Sequence, residues 1–247
     1  MVKQLLHKPT LTIGFLIFPG FPMSCLTSMI EPLRAANEIA DCIAFDWKII
    51  SETGGRIASS AKVVFDTDAA LCDVAQIDYL FLLSSPTSDF VNRKTSEAQL
   101  RRLMRHGAAV GGVSGGVFPL ARSGLLEGHA VSVHWCYAAA FAQEFPQMDM
   151  RDDVIVFDHP RYSVAGAAAS FDLMLSFVET QLGADTATEV ACWFQHPVVR
   201  GRGVRQKTPT FHRDSTADML PEPVAKAVAI LGRHLAEPIA VEAVACA

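Results

Sequence analysis

The chain has 247 residues and a formal net charge of −5, and 50% of its residues are hydrophobic. This composition can build a full apolar core, in one large domain or in one domain with part of another. A protein that binds DNA through its own surface usually carries a surplus of positive charge, because phosphate contacts supply much of the affinity. The charge therefore argues against a self-contained DNA-binding protein.

The spacing of cysteine and histidine predicts neither a disulfide framework nor a metal site. The six cysteines are scattered without a C-x-x-C pair, and the eight histidines form no H-x-x-x-H pattern. Such spacing is typical of free thiols in a reducing compartment and supplies no metal-ligand set. We expect no metal and no cofactor.

The apolar run at residues 11–21 could be mistaken for a signal peptide. It is broken by Gly14, Pro19 and Gly20 and lacks a cleavage site of small residues, so it predicts a buried strand instead. No apolar stretch reaches the roughly 18 residues that a membrane span needs. We expect a cytoplasmic protein without a membrane partner.

Short apolar runs alternate with helical periodicity along most of the chain. Strands are predicted at 11–18, 45–50, 79–83, 108–113 and 130–134, with two more around Ile155 and Ser163. One helix is predicted to begin after Ser24, which would be its N-cap. Further helices are predicted at 95–106 and 115–125, after the strand at 130–134 as far as residue 145, and at 170–182. Apolar strands that alternate with helices indicate an α/β fold, namely a doubly wound, mostly parallel, flavodoxin-like sheet with helices on both faces.

A basic segment and an apolar stripe follow this pattern. Residues 196–219 carry Arg200, Arg202, Arg205, Lys207 and Arg213 without periodicity, which fits a solvated linker or an arm that holds DNA phosphates. Pro221 then opens a predicted helix with one apolar stripe. Too little chain follows to cover that stripe, so we expect the start of a truncated second domain.

One motif bears on chemistry. Ligands of doubly wound sheets bind beyond the carboxyl ends of the strands, and there residues 112–116 match the nucleophile elbow G-x-S-x-G, with Ser114 at its centre. His134 follows the next predicted strand, so a serine hydrolase is one hypothesis. Its weakness is the acid: only Glu127 lies between the two residues, in a glycine-flanked turn. Close packing of a strand on a helix also explains the glycines.

The elbow and its histidine resemble the PfpI-like branch of the class I glutamine amidotransferase-like superfamily. The resemblance implies a cysteine nucleophile at the elbow, an acidic residue on the first helix, and a glycine pair after the third strand that binds an oxyanion. This sequence has Ser114, Cys25 and the pair Ser84-Ser85 at those positions. Nucleophile, activator and oxyanion hole are what covalent catalysis requires. The resemblance therefore implies a pocket without catalysis, hence not an enzyme.

Several segments are similar to one subgroup, the AraC-type transcription regulators with this fold as their N-terminal domain. The segments are FLIFPGF with MIEPLRAAN, GGVSGGVFPLARSGLLEGHAVSVHW, EFP and AGAAASFDLMLSFVE, within about residues 10–200. VAKAVAILGRHLAEPIAVEAVA resembles the first helix and turn of the AraC-type DNA-binding domain. The resemblance implies a sensor domain at 1–195, a linker at 196–219 and the start of a helix-turn-helix domain at 220–247. Both recognition helices would be missing, so we expect DNA binding only through that missing part, and a homodimer.

The resemblance also implies a small effector. The segment EPLRAAN is similar to the corresponding segment of members that sense quaternary amines. The face of Trp135 and the negative charge of Glu31 would suit such a cation. Alternatively, Trp135 is a core residue and Glu31 pairs with Arg34; amino acids and their derivatives also fit. The expected ligand-binding residues are Ser114, His134, Trp135, Cys25, Ser84, Ser85 and Glu31.

Two other functions stay open at this point. One is an enzyme, either a serine hydrolase or a PfpI-like enzyme, that uses Ser114 and His134. The other is a dimerisation scaffold with an empty pocket.

Overall fold

The computed structural model describes residues 9–196, 199–200 and 203–208. The chain divides into two compact units, Met1–Gln206 and Lys207–Ala247. Only residues 207 and 208 of the second unit are described, so the predicted helix after Pro221 and the predicted start of a helix-turn-helix domain lie outside the described residues. The rest of this description concerns the first unit.

Eleven strands and six α-helices make up the described part of this unit. The strands are β1 (Leu11–Ile17), β2 (Phe45–Ser51), β3 (Arg56–Ala58), β4 (Val64–Asp66), β5 (Ala69–Ala70), β6 (Tyr79–Ser84), β7 (Ala109–Ser114), β8 (Val131–Ser132), β9 (Met150–Arg151), β10 (Ile155–Asp158) and β11 (Arg161–Val164). The helices are α1 (Met23–Ile39), α2 (Arg93–Arg105), α3 (Val117–Arg122), α4 (Ala138–Glu144), α5 (Ala167–Leu182) and α6 (Ala184–Trp193).

Seven strands form the central sheet in the order β10-β11-β7-β6-β1-β2-β5. Neighbouring strands are parallel except for the antiparallel pair β10–β11. This confirms the predicted doubly wound, mostly parallel sheet. The register pairs Ser84 with Ser114, so the last residues of β6 and β7 lie side by side at the carboxyl edge.

The core has two layers, one on each face of the sheet. On one face Ile13 and Phe15 of β1 pack with apolar side chains of α1 and α5. On the other face Leu16 packs with apolar side chains of α2 and α3. Successive strand residues point to opposite faces, and both faces of β1 are covered. A strand with no polar face is therefore required, as the sequence LTIGFLI provides.

Three details of the predicted pattern were wrong and two features were missing. The strand predicted at 130–134 is limited to Val131–Ser132 and pairs with β9 in a separate two-stranded sheet. The N-cap of α1 is Pro22, with no side-chain cap, and Ser24 lies inside the helix. The helix predicted at 115–125 covers only Val117–Arg122. The β3–β4 hairpin and α6 were not predicted.

Part of the predicted linker is hydrogen-bonded to the first unit. The amide of Val154 donates to the carbonyl of Val204 (2.8 Å), and the amide of Gln206 donates to the carbonyl of Asp152 (2.7 Å). Between them, Asp153 and Arg205 form an antiparallel bridge. Residues up to Gln206 thus contact the folded unit, whereas the domain boundaries at 195 and 219 stay predictions. No helix in the described ranges is long and apolar enough to cross a membrane.

Candidate functional site

Ser114 lies at a sharp turn between β7 and α3. Its φ of 54° is in the left-handed region, which is rare for a residue with a side chain. Gly115 and Gly116 follow, where a Cβ would collide with the carbonyl oxygens of Ser84 and Leu82. Only glycine therefore lets the turn pack this closely on β6. The geometry is that of the predicted elbow, and Ser114 is 8% exposed.

Ser84 and Ser85 belong to a hydroxyl-rich turn beside the elbow. The Oγ of Ser84 donates to the carbonyl of Ser85 (2.9 Å), and the Oγ of Ser85 lies 2.8 Å from that of Ser88. Arg122 stabilises this turn, because its guanidinium donates to the carbonyls of Ser88 (2.8 Å) and Pro86 (3.0 Å). The turn offers hydroxyls rather than the close glycine backbone of the implied oxyanion site.

His134 caps a short 3₁₀ helix at Trp135–Tyr137. Its Nδ1 accepts a hydrogen bond from the amide of Cys136 (3.3 Å), so the Cys136 thiol, 2.9 Å away, is the donor to the same atom. Burial lowers the pKa of His134. The lowered pKa favours a neutral imidazole, and an accepting Nδ1 places the proton of that neutral ring on Nε2.

Cys25 lies in the first turn of α1 and is 3% exposed. Burial raises the pKa of its thiol to about 11, although hydrogen bonds with Ser170 and Ser24 act in the opposite direction. Ser170 in turn donates to the carbonyl of Gly166 (3.0 Å) at the start of α5. The ring of His134 approaches the same glycine, 3.5 Å from where its Cβ would be. Cys25 and His134 therefore converge on the N-terminus of α5.

Trp135 is not a core residue. Its side chain is 42% exposed, and its ring centroid lies 5.5 Å from that of His134. The indole thus lies beside the imidazole at the edge of the site and presents ring surface to solvent. An exposed aromatic face of this kind can contact a cation or another planar group.

Glu31 does not join the other predicted site residues. Its carboxylate pairs with Arg34 over 2.9 Å, and the glutamate side chain is 44% exposed. It is six residues after Cys25 on the same helix, about 9 Å further along the axis at 1.5 Å per residue. The alternative interpretation of Glu31, a surface pair with Arg34, agrees with this geometry.

The chemical groups at this edge are hydrogen-bonding groups without an activating charge. Within the described ranges, His134 contacts no carboxylate, and the Ser114 hydroxyl makes no hydrogen bond with a ring nitrogen. Burial also raises the pKa of Cys136, so both neighbouring thiols stay protonated at neutral pH. Among the same residues, no group of histidine, cysteine and carboxylate side chains could hold a metal ion.

Sequence reasoning missed Gln206. The Oε1 atom of Gln206 accepts from the amide of Trp135 (2.9 Å), and its Nε2 donates to the carbonyl of Val133 (2.8 Å). The residue stands in a segment without periodicity, which the sequence predicts to be a linker. Nothing in that segment signals a contact with residues more than 70 positions earlier.

A separate cavity of about 700 Å³ lies at the opposite edge of the sheet. Its lining includes Leu11 and Tyr79, the first residues of β1 and β6, together with side chains of α5 and α6. The cavity is therefore far from the elbow, at the amino ends of parallel strands. No pattern in the sequence indicates a cavity at this edge.

No model of a protein family matches the chain. One relative is the HTH-type transcriptional regulator CdhR of Pseudomonas aeruginosa, 32% identical over 194 residues that cover 78% of this chain and 57% of CdhR.

Two solved structures share the fold. An AraC family transcriptional regulator from Pseudomonas putida matches with a TM-score of 0.66 and 22% identity, over 74% of this chain and 99% of that one. A ThiJ/PfpI family protein from Pseudomonas syringae also matches with a TM-score of 0.66, at 18% identity, over 94% and 90% of the two chains.

The fold and elbow define a PfpI-like domain, of the kind that some enzymes and some regulators share. The sequence relationship is to regulators of the HTH type, and the fold is shared with an AraC family regulator and a ThiJ/PfpI family protein. The chain spans 57% of the length of CdhR.

Proposed function

We propose that the first unit is the effector-sensing domain of a cytoplasmic, homodimeric transcription regulator, and that it has no catalytic activity. A small metabolite binds at the carboxyl edge of the sheet, among Ser114, His134, Trp135, Cys25, Ser84 and Ser85. Binding controls DNA recognition by a helix-turn-helix domain attached after the linker.

One observation supports this proposal most directly: the structure has the turn of a nucleophile elbow but lacks, among the described residues, an oriented base that would activate Ser114. Ser114 has the strained backbone of a nucleophile elbow, while the only imidazole of the predicted site is capped by Cys136 and touches no carboxylate in the described part of the chain. A serine hydroxyl needs an oriented general base to attack a carbonyl at useful rates. The arrangement suits binding better than catalysis.

A quaternary amine or an amino-acid derivative is the effector class that we favour. The exposed face of Trp135 would contact the cationic group. Serine hydroxyls and the Nε2–H of His134 would donate to a carboxylate. Glu31 has no part in this arrangement, because it is paired with Arg34 along α1.

A thermal-shift screen tests the proposal. The panel contains betaines, carnitine, choline, and amino acids with their methylated and guanidino derivatives. A ligand at 100 times its Kd adds about 2.7 kcal/mol to the free energy of unfolding, and each kcal/mol raises the melting temperature of a domain of this size by about 2–4 °C.

The matched controls are two tryptophan variants. Trp135→Ala should abolish the shift given by a cationic ligand, whereas Trp193→Ala, at a 51% exposed position on α6, should keep it. A panel without any shift would remove the quaternary-amine and amino-acid class. A broad metabolite library without any shift would favour a dimerisation scaffold instead.

A hydrolase is the second candidate, because the φ of Ser114 is the backbone strain that a nucleophile elbow carries. We expect no turnover of p-nitrophenyl acetate above background. If the purified protein hydrolyses the ester and Ser114→Ala removes the activity, the hydrolase replaces the sensor.

A further inference from the structure

The side chain of Gln206 holds the backbone on both sides of His134. Its amide oxygen accepts from the N–H of Trp135 (2.9 Å), and its amide nitrogen donates to the carbonyl of Val133 (2.8 Å). One planar amide therefore satisfies the two backbone groups that flank the histidine, as a neighbouring strand would. These two bonds fix the path of the loop that presents the imidazole and the indole.

The main chain around Gln206 is also attached. Its own amide donates to the carbonyl of Asp152 (2.7 Å), and the carbonyl of Val204 accepts from Val154 (2.8 Å). This short segment, residues 203–206, runs antiparallel to residues 152–154. Lys207, the next residue along the chain, is the first of the second unit.

We infer that Gln206 is a positioning residue of the proposed effector site, and that attachment of residues 203–206 and the geometry of the His134–Trp135 loop depend on each other. The regulatory part of this inference rests on the proposed function. An effector that moves Trp135 changes a hydrogen bond to Gln206, and release of Gln206 frees the loop. Coupling of this kind is reciprocal by thermodynamic necessity.

The first experiment breaks the contact from the side of Gln206. Gln206→Leu keeps the approximate size of the side chain and removes both hydrogen bonds to the loop, together with a longer one (3.4 Å) to the carbonyl of Asp153. We expect faster hydrogen–deuterium exchange of the Trp135 amide, by about two- to tenfold, the factor that one net hydrogen bond represents. Gln99→Leu is the matched control, because Gln99 donates to the carbonyls of Leu71 and Val74 elsewhere in the unit and should leave the Trp135 amide unchanged.

A spectroscopic signature separates positioning from general loss of stability. In a Trp47→Phe, Trp193→Phe background, Trp135 is the single tryptophan. Gln206→Leu should change its emission maximum under native conditions, and Gln99→Leu should not. If Gln206→Leu leaves the emission maximum and the Trp135 exchange rate unchanged, or if Gln99→Leu changes them as much, the inference is wrong.

The second experiment breaks the same bond from the side of the loop. Trp135→Pro removes the N–H that Gln206 accepts, and proline is tolerated at the first position of the 3₁₀ helix. His134, with φ −56° and ψ 134°, already has a backbone conformation that suits a following proline. Trp135→Ala is the control, since it loses the ring but keeps the N–H.

The readout is tryptic cleavage after Arg205, identified by fragment mass. Trp135→Pro should speed this cleavage about two- to tenfold relative to Trp135→Ala, because one attachment of residues 203–206 is lost. Equal rates in the two variants would overturn the coupling. Neither experiment needs an effector, so a failed effector screen would count against the proposed function and not against the role of Gln206.

Discussion

Arg200 and Asp172 form an ion pair with 2.7 Å between Nε and Oδ2, and the aspartate side chain is completely buried. The other carboxylate oxygen lies 2.7 Å from Nε2 of His196. Asp172 belongs to the core-facing helix α5, whereas Arg200 follows α6. The pair therefore ties the start of the predicted linker to the interior of the first unit.

We expect Arg200→Met to lower the free energy of unfolding by about 3 kcal/mol. Removal of the guanidinium leaves the buried carboxylate with His196 as its one remaining side-chain partner among the described residues, and loss of one partner of a buried pair is costly even where the intact pair contributes little. Urea unfolding would measure the loss. Arg205→Met, at an exposed position with no side-chain ion pair in the described residues, should change stability by less than about 0.5 kcal/mol.

A double variant checks that the loss comes from the pair. Asp172→Asn removes the charge that Arg200 compensates, so adding Arg200→Met to it should cost much less than Arg200→Met alone. Additive losses would show that the arginine stabilises the unit through other contacts.

Two glycines near the elbow should respond differently to alanine. A Cβ on Gly116 would collide with backbone atoms of Leu82, which cannot move without disturbing β6. We expect Gly116→Ala to lower stability by about 3 kcal/mol or more, or to prevent folding. A Cβ on Gly166 would meet the His134 ring at an ordinary 3.5 Å, so Gly166→Ala should cost less than about 1 kcal/mol. Thermal and urea unfolding of both variants would show the contrast, and equal losses would contradict the geometry of the elbow.

The buried thiol of Cys25 predicts a loss of stability in alkali. Its pKa is raised from 9.0 to about 11 by burial, so between these values the unfolded chain has released a proton that the folded chain keeps. Stability is therefore unaffected below pH 9 and falls as the pH rises towards 11, by up to about 2–3 kcal/mol. Unfolding free energies of the wild type and of Cys25→Ala would isolate the effect. The difference between the two unfolding free energies should shrink as the pH rises from 9 to 11. A difference that stays constant would contradict the raised pKa of Cys25.

The sequence predicted the central strands well, because local pattern and burial agree there. The runs at 79–83 and 108–113 are apolar on both faces, and only a covered parallel sheet accommodates such strands. Ser114 was found by its motif, since the turn requires glycines that a pattern can recognise. The short helix α6 was missed because the residues of ADTATEVACW are small and polar enough to hide the helical period.

Contacts between residues that are distant in the sequence could not be predicted from it. The run at 130–134 has the composition of a sheet strand, but composition does not reveal that Val131–Ser132 pairs with β9. In the sequence Asp172 is a single polar residue within an apolar helix, and no pattern identifies His196 or Arg200 as its partner. Gln206 is an ordinary residue of a basic segment until the fold brings it to Trp135. Each of these depends on tertiary contacts rather than on a local period.

DNA binding by the 247-residue chain should be weak, independent of sequence and steeply dependent on salt. Of the five basic residues between 200 and 213, Arg200 is paired with Asp172, which leaves four for phosphate. At about 0.9 per neutralised phosphate, the slope of log K against log salt should be no steeper than about −4.

Two substitutions test that assignment by fluorescence anisotropy with a labelled duplex. Lys207→Met should make the slope shallower by about 0.9, because one phosphate contact is lost. Arg200→Met should leave the slope unchanged, since its guanidinium serves a buried carboxylate rather than DNA. A shallower slope for Arg200→Met would mean that the arginine leaves Asp172 when DNA binds. Sequence-specific binding by this chain at physiological salt would place the DNA-reading element somewhere other than the proposed attached domain.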